Sequence, residues 1–147
     1  MSPHRETSGA ILIDSLGRFL FQLRDDKPEI LYPAQIGLFG GHREGSETFL
    51  ECVVREVYEE ISYFVPSERF AHLVSYEGTD PRGGTFCCEI FVANKLPADQ
   101  LLITEGRLLT IKREDFAAVE SSFSPSARFA VDAFLNDRQS VLSRLRP

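Results

Sequence analysis

Three glutamates stand close together in the stretch REVYEEIS, residues 55–62. On a helix, Glu56, Glu59 and Glu60 occupy positions i, i+3 and i+4, so their carboxylates project from one side. Like charges at this spacing cost roughly a few tenths of a kcal/mol per pair, which an ordinary surface helix tolerates. Hard cations such as Mg²⁺ prefer oxygen ligands, and carboxylates on adjacent turns supply several. The pattern therefore fits both a solvated helix face and a metal site.

The residues around these glutamates favour the metal site. Apolar residues recur every four positions, at Phe49, Val53, Val57 and Ile61. Because this stripe lies about one residue step from the glutamates, we predict that at least one carboxylate lies at the border of the core. Arg55, which precedes the first of the three glutamates, can orient a carboxylate through charge-assisted hydrogen bonds.

Two adjacent glycines precede this helix in the segment LFGGHREGSE. Gly40 and Gly41 allow the backbone to approach a ligand closely, and a carbonyl there can join the glutamates around a metal. The pair is expected to end a short strand over residues 34–39. A strand, a loop and a helix would then present acidic oxygens at a bend.

The order of the predicted elements is strands, one helix, strands and then helices. The first helix is expected over residues 47–61, with Ser46 as its N-cap and Glu47 in its first turn. The other expected strands cover residues 9–14, 19–24, 69–76, 85–94, 101–105 and 108–111, and the other expected helices cover residues 112–119 and 125 to about 145. This order predicts an α+β fold, an α/β/α sandwich with a central mixed sheet, in a single domain of residues 1–147.

The charge of the chain limits its partners. The net charge is −6 and the isoelectric point is about 5.1, so the chain lacks the positive field that nucleic acids and anionic membranes attract. We therefore expect neither as a partner. A small anionic substrate is compatible with this charge if a divalent cation offsets the negative background.

The cysteines and the apolar runs indicate the compartment. Cys52, Cys87 and Cys88 have no zinc-site spacing and leave one thiol unpaired, so reduced thiols are expected. No apolar run reaches the ~18 residues of a membrane span. We therefore expect a cytoplasmic protein.

Residues 41–63, GHREGSETFLECVVREVYEEISY, resemble the Nudix box. The box pattern is a glycine, five residues, a glutamate, seven residues and then REUxEExGU, where U is a bulky aliphatic residue. The positions in register are Gly41, Glu47, Arg55, Glu56, Val57, Glu59 and Glu60. The chain departs from the pattern at Ser62, which replaces the last glycine, and at Tyr63, which replaces the following aliphatic residue. Either Ser62 adopts a strained backbone conformation or the helix ends differently.

The resemblance implies an α/β/α fold similar to small Nudix hydrolases and hydrolysis of a nucleoside diphosphate linked to another group. Water would attack phosphorus with the help of Mg²⁺, for which Mn²⁺ can substitute. The implied metal ligands are Glu56, Glu59, Glu60 and the carbonyl of Gly40, while Gly41, Glu47 and Arg55 would orient them. A downstream glutamate of the family corresponds to Glu105. We assign the general base first to Glu56, which stands next to Arg55, and second to Glu105.

Substrate contacts are expected from residues outside the box. Arg24 is similar in position to a basic residue that contacts substrate phosphates in several members of the family. Because the chain has no tryptophan, a base would have to stack on a Phe or Tyr, such as Phe39, Tyr32 or Tyr76. Ser124, before the helix that starts at residue 125, is expected to line the base pocket.

Three functions remain open at this point. The first is hydrolysis of a nucleoside triphosphate or a similar small nucleotide. The second is a nucleotide-binding or regulatory module without activity, although inactive members usually lose a box glutamate and none is missing here. The third is an isomerase of isoprenoid diphosphates, which needs a reactive cysteine such as Cys52 or Cys87. The identity of the substrate depends on loops such as residues 25–33 and 77–84, and the oligomeric state is not predicted.

Overall fold

The computed structural model describes residues 4–145. Its elements alternate in the predicted order of strands, helix, strands and helices. The strands are β1 His4–Asp14, β2 Phe19–Leu23, β3 Ile36–Gly37, β4 Phe39–His42, β5 Ala71–Thr79, β6 Thr85–Leu96 and β7 Arg107–Ile111. The helices are α1 Phe49–Ile61, α2 Phe116–Val119, α3 Pro125–Asn136 and α4 Arg138–Arg144.

The strands of the described residues form one mixed sheet in the order β3-β2-β1-β6-β5, with β4 paired to β1 and β7 paired to β2. Strands β1 and β6 run parallel, and the other pairs are antiparallel. Strand β1 changes partner along its length. Its first half pairs with β4, for example Thr7 with His42, and its second half pairs with β2, for example Leu12 with Leu20.

Helices cover both faces of the sheet. Helix α1 packs on one face, where Leu12, Leu20 and Val57 belong to one cluster of buried side chains. Helices α3 and α4 pack on the other face, where Ile11 and Phe134 belong to a second cluster. Because successive residues of a strand point to opposite faces, Ile11 and Leu12 serve different clusters. The α/β/α sandwich with a mixed sheet is confirmed.

Helix α1 begins two residues later than predicted. Its N-cap is Thr48, whose hydroxyl accepts a hydrogen bond from Glu51 N at 3.0 Å, while the Glu51 carboxylate accepts one from Thr48 N at 2.7 Å. This reciprocal pair satisfies two free N–H groups at the helix start. Ser46 is therefore not the N-cap, and Glu47 lies before the helix and not in its first turn.

The helix ends with a strained residue. Ser62 has φ 56° and ψ 32°, the left-handed conformation that favours glycine, and its N–H donates to Tyr58 O at 3.0 Å. Of the two alternatives for the serine that replaces the box glycine, the structure has the strained one.

The predicted strand over residues 34–39 is instead two strands, and the glycines lie inside the second. Strand β4 includes Gly40 and Gly41, which pair with Gly9 and Ser8. A Cβ atom at Gly40 would lie 2.0 Å from the carbonyl oxygen of Ser8, and Gly40 has φ 153°. Glycine is thus required here because two backbones approach closely, and it continues the strand without breaking it.

Three later predictions also differ from the structure. Residues 101–105 form no strand, because they follow a short 3₁₀ turn at Ala98–Gln100 and bond to the end of α1. The expected helix over 112–119 is a 3₁₀ turn followed by the single turn of α2, and the expected helix from 125 to 145 is divided into α3 and α4 at Asp137. Among residues 4–145, no helix is long and apolar enough to cross a membrane.

Candidate functional site

A cleft of about 490 Å³ opens between β1, β4, the last turns of α1 and the start of α3. It brings together most of the residues predicted from the sequence. Those that line it are Arg24, Tyr32, Phe39, Gly40, Gly41, Glu56, Glu59, Glu60, Glu105 and Ser124. Glu47, Arg55 and Tyr76 are not among its lining residues. The cleft is therefore acidic at the α1 side and contains an arginine on the β2 side.

Glu60 is the buried member of the acidic set. It is 8% exposed, Gly40 N donates to its Oε1 at 2.7 Å, and the Gln22 amide donates to its Oε2 at 3.4 Å. Burial raises the pKa of Glu60 to about 8, and the negative charges of Glu56 and Glu105 add to this effect against the Gly40 hydrogen bond. The prediction that one carboxylate lies at the border of the core is confirmed.

Arg55 binds the carboxylate of Glu47 before α1 and that of Glu56 on α1. Its Nη2 and Nε donate to Glu47 at 2.6 and 3.0 Å, and its Nη1 donates to Glu56 at 2.8 Å. Its Nη2 also donates to the carbonyl of His42 at 2.9 Å. The hydrogen bonds from Arg55 lower the pKa of Glu47 to about 2. Arg55 thus ties the segment before α1 to the Glu56 side chain.

Gly41 leaves room for the Glu56 carboxylate. A Cβ atom at Gly41 would lie 2.5 Å from the carboxyl carbon of Glu56. Any other residue would push this side chain away from β4, so the requirement for glycine here is steric contact with an acidic group and not a turn.

The oxygen donors of the cleft suit a hard divalent cation such as Mg²⁺ or Mn²⁺. Across residues 4–145, however, no three His, Cys, Asp or Glu side chains already converge as a metal-binding group. Arg55 donates to Glu56 at 2.8 Å and to Glu59 at 3.4 Å, so both of these carboxylates are bound by the guanidinium. Glu60 has no cationic partner within the described part of the chain. The donor chemistry fits the metal, and Glu60 is the group whose negative charge a cation would balance.

The substrate residues predicted from the sequence have different environments. Arg24 lines the cleft, and its Nε donates to Leu31 O at 2.9 Å. Ser124 is 3% exposed, and its hydroxyl accepts from Ala127 N as the N-cap of α3, so it lines the cleft as part of a helix cap. Tyr32 lines the cleft with a left-handed φ of 52°.

Two of the three aromatic residues named for base stacking do not present a ring to the cleft. Phe39 is fully buried in the cluster beneath α1, so its ring offers no face to a ligand. Tyr76 lies outside the cleft lining and packs on Phe129, with ring centroids 4.5 Å apart. Tyr32 is the one of the three that can contact a base in the cleft.

Among the polar residues of the cleft that were not predicted, Gln22 and Thr104 contact the acidic end of α1. Gln22 is 5% exposed in β2, and its amide contacts both Glu60 and the backbone of Glu105. A glutamine within the apolar run FLFQL was the available signal. Thr104 bonds to the end of α1 and was missed because residues 101–105 were expected to form a strand.

The cysteines do not provide a reactive thiol. Cys52 and Cys88 are buried, and burial raises the pKa of each thiol to about 11. Burial also raises the pKa of Cys87. Since the thiolate is the reactive form, these environments disfavour the isomerase alternative.

The chain resembles known proteins along nearly its whole length. The family model described as NUDIX domain matches residues 3–142. No curated protein matches the sequence at a significant level. Among solved structures, the MutT protein from Methanosarcina mazei Go1 is 18% identical with a TM-score of 0.78, covering 94% of this chain and 97% of its own.

Two further structures are similar in the same way. A NUDIX hydrolase from Nitrosomonas europaea is 17% identical with a TM-score of 0.73, covering 99% of this chain and 97% of its own. The NUDIX domain of Shewanella oneidensis NrtR, complexed with ADP ribose, is 15% identical with a TM-score of 0.73. The match covers 95% of this chain and 90% of that domain's chain. Identities of 15–18% show only that these structures share the fold of this chain. The family of the chain follows from the match to the NUDIX domain model. The chain belongs to the NUDIX family.

Proposed function

We propose that this protein hydrolyses a diphosphate linkage in a small nucleotide with the help of Mg²⁺, and that nucleoside triphosphates are its preferred substrates. The observation that carries the proposal is the Glu60 carboxylate. It is buried in the cleft beside Glu56 and Glu105 and has no cationic partner among residues 4–145. The charged form of a buried carboxylate is unfavourable unless a cation balances its charge.

The acidic cleft alone would repel the phosphates of a nucleotide. Glu56, Glu59, Glu60 and the carbonyl of Gly40 would hold the cation, with Mn²⁺ as a substitute for Mg²⁺. When bound, such an ion polarises the phosphoryl group and lowers the pKa of a coordinated water from ~15.7 toward neutrality. The charge of the site is then compatible with an anionic substrate.

The proton of the attacking water needs an acceptor in the cleft. Arg55 donates to Oε1 of Glu56, which leaves Oε2 of Glu56 as the first candidate for the general base. Glu105, which is exposed in the same cleft, is the second. Arg55 itself, together with Glu47 and Gly41, orients Glu56 and touches no reacting atom.

The substrate would lie across the cleft from α1. Arg24 has no ion-pair partner in the described residues and is placed to meet phosphate oxygens. Tyr32 and Ser124 line the same region and would contact the nucleoside. The Shewanella NrtR domain complexed with ADP ribose supports a nucleotide-like ligand for this fold.

The test is an assay with Mg²⁺ or Mn²⁺ over a panel of nucleoside triphosphates, nucleoside diphosphate sugars and ADP ribose. Released phosphate and pyrophosphate report hydrolysis of the triphosphates, and released nucleoside monophosphate reports hydrolysis of the other two classes. We expect turnover that requires the metal and is strongest with triphosphates. Glu60→Gln, which removes the charge and keeps the shape, is the matched control and should be inactive. Nucleotide binding by calorimetry without turnover on any compound would instead support a binding module.

A further inference from the structure

The segment of residues 101–106 docks on the C-terminal end of α1. The last carbonyls of a helix have no partner within the helix. Here Leu102 N donates to Ile61 O at 3.0 Å and Thr104 N donates to Glu60 O at 3.0 Å. The hydroxyl of Thr104 donates to Glu59 O at 3.1 Å. Three successive carbonyls at the helix end are thus satisfied by this segment.

The other end of the segment is fixed to β2. The Gln22 amide donates to the carbonyl of Glu105 at 3.0 Å. Gly106 follows with φ 65°, and a Cβ atom there would lie 2.4 Å from the carbonyl oxygen of Leu23. Only glycine allows this approach of the backbone to β2, after which Arg107 pairs with Leu23 in β7.

The backbone of Glu105 is therefore held from both sides. Thr104 anchors it to the helix that carries Glu59 and Glu60, and Gln22 anchors it to the neighbouring strand. The side chain of Glu105 stays exposed and lines the cleft. The same Gln22 amide also reaches Glu60, at 3.4 Å, so one group contacts both acidic residues.

We propose that Thr104 is a positioning residue that sets Glu105 against the acidic end of α1, so that cation binding in the cleft depends on the Thr104 hydroxyl. The inference rests on the proposed function, because it places Glu105, the second candidate for the general base, beside the cation that Glu56, Glu59 and Glu60 would hold. Thr104 is exposed and contributes little to the core, so its replacement tests position and not packing. Its hydroxyl bonds a backbone carbonyl that no other described side chain occupies.

The experiment is a calorimetric titration of Mn²⁺ into metal-free protein. It compares the wild type with Thr104→Val and Thr104→Ser. Valine keeps the shape and loses the hydroxyl, whereas serine keeps the hydroxyl. We expect Thr104→Val to weaken Mn²⁺ binding by about threefold to tenfold. Thr104→Ser should retain the wild-type affinity for Mn²⁺. Thr104→Ala, which adds no branched side chain, is the second variant if valine disturbs folding, and thermal unfolding checks both.

A double-mutant cycle with Glu105→Gln separates positioning from a general structural effect. If Thr104 acts through Glu105, Thr104→Val has no further effect on Mn²⁺ affinity or on kcat once Glu105 is neutral. Wild-type Mn²⁺ affinity in both Thr104→Val and Thr104→Ala, or an undiminished effect in the Glu105→Gln background, overturns the inference.

The two proposals fail in different ways. Turnover and metal binding that are insensitive to Thr104 overturn the inference and leave the proposed function intact. Mn²⁺ binding that depends on Thr104 through Glu105, in a protein that turns over no nucleotide, overturns the proposed function and supports the inference. A wild-type protein that binds no Mn²⁺ overturns both.

Discussion

Glu47, just before the start of α1, and Glu60, in its last turn, have opposite electrostatic environments. Glu47 receives two hydrogen bonds from Arg55, which lower its pKa to about 2. Glu60 has only an N–H group and an amide as donors, and burial raises its pKa to about 8. The first carboxylate is neutralised within the protein. In the proposed function a cation from outside balances the charge of the second, which would distinguish a structural acid from a functional one in the same motif.

The backbone shows the same difference. The start of α1 is satisfied locally, by the reciprocal bonds of Thr48 and Glu51. The end of α1 carries the strained Ser62, and its carbonyls are satisfied by a distant segment through Leu102 and Thr104. The start of α1 is thus capped without strain, whereas the end that lines the cleft contains a strained residue and the acidic side chains.

The largest expected effect is on catalysis. Glu60→Gln and Glu56→Gln should each lower kcat by roughly 10²–10⁴-fold while the fold stays intact. Glu47→Gln should lower kcat much less, because Glu47 touches no reacting atom and acts through Arg55. Steady-state kinetics at saturating Mg²⁺, with circular dichroism as the check on folding, decide this. Near-normal turnover in Glu60→Gln would sink the metal-site assignment.

The second prediction concerns pH and stability without metal. The pKa of Glu60 is raised from 4.5 to about 8, so between these values the folded state binds more protons than the unfolded state. Glu60 should therefore lower the free energy of unfolding progressively as pH rises from about 4.5 to 8, by an amount on the order of a few kcal/mol. Glu47 acts oppositely, since its lowered pKa contributes stability that is lost as pH falls from 4.5 to about 2.

Urea unfolding at pH 5, 7 and 9 measures this dependence. Glu60→Gln should flatten the decrease between pH 5 and 9, and saturating Mg²⁺ should reduce it in the wild type because the ion stabilises the charged carboxylate. An identical decrease in Glu60→Gln would assign it to another group and break the contrast between the two glutamates.

The smallest expected effect concerns the two helix ends. Ser62→Gly should raise the free energy of unfolding by about 1 kcal/mol, or the thermal midpoint by about 2–4 °C, because glycine adopts the left-handed conformation without strain. Thr48→Ala should lower the free energy of unfolding by about 1 kcal/mol through loss of the cap. Neither should change kcat. A loss of activity in Ser62→Gly would show that the serine takes part in the chemistry.

Much of the site could be predicted because its signal is local. The period of the apolar stripe and the spacing of the three glutamates fix which side chains share a helix face. The start of the helix was also available from the sequence, since Thr48 is followed three residues later by Glu51 and Ser46 is followed by Phe49. The prediction of Ser46 as the N-cap is wrong because only Thr48 has a glutamate three residues later, which completes the reciprocal hydrogen bonds.

The remaining errors come from contacts between distant residues. Gly40 and Gly41 looked like a strand end, but they continue β4 because β1 packs tightly against them. The apolar segment of residues 101–105 has a strand-like composition, yet its N–H groups bond the end of α1 and not another strand. Phe39 was named for base stacking because the chain has no tryptophan, whereas the alternation of β4 directs its side chain into the core.

The parallel pairing of β1 with β6 determines when the cleft can form during folding. Thr7 and Cys88 are register partners in this pair, and the Thr7 hydroxyl donates to the carbonyl of Cys87, a residue 80 positions later in the chain. Closing a loop of this length costs conformational entropy before any contact repays it, and sheets built on such distant pairs fold slowly. The acidic helix can form from neighbouring residues early. Residues of β6 also line the cleft, so a chain that is still being synthesised carries the glutamates of the site before it has all the strands that enclose them.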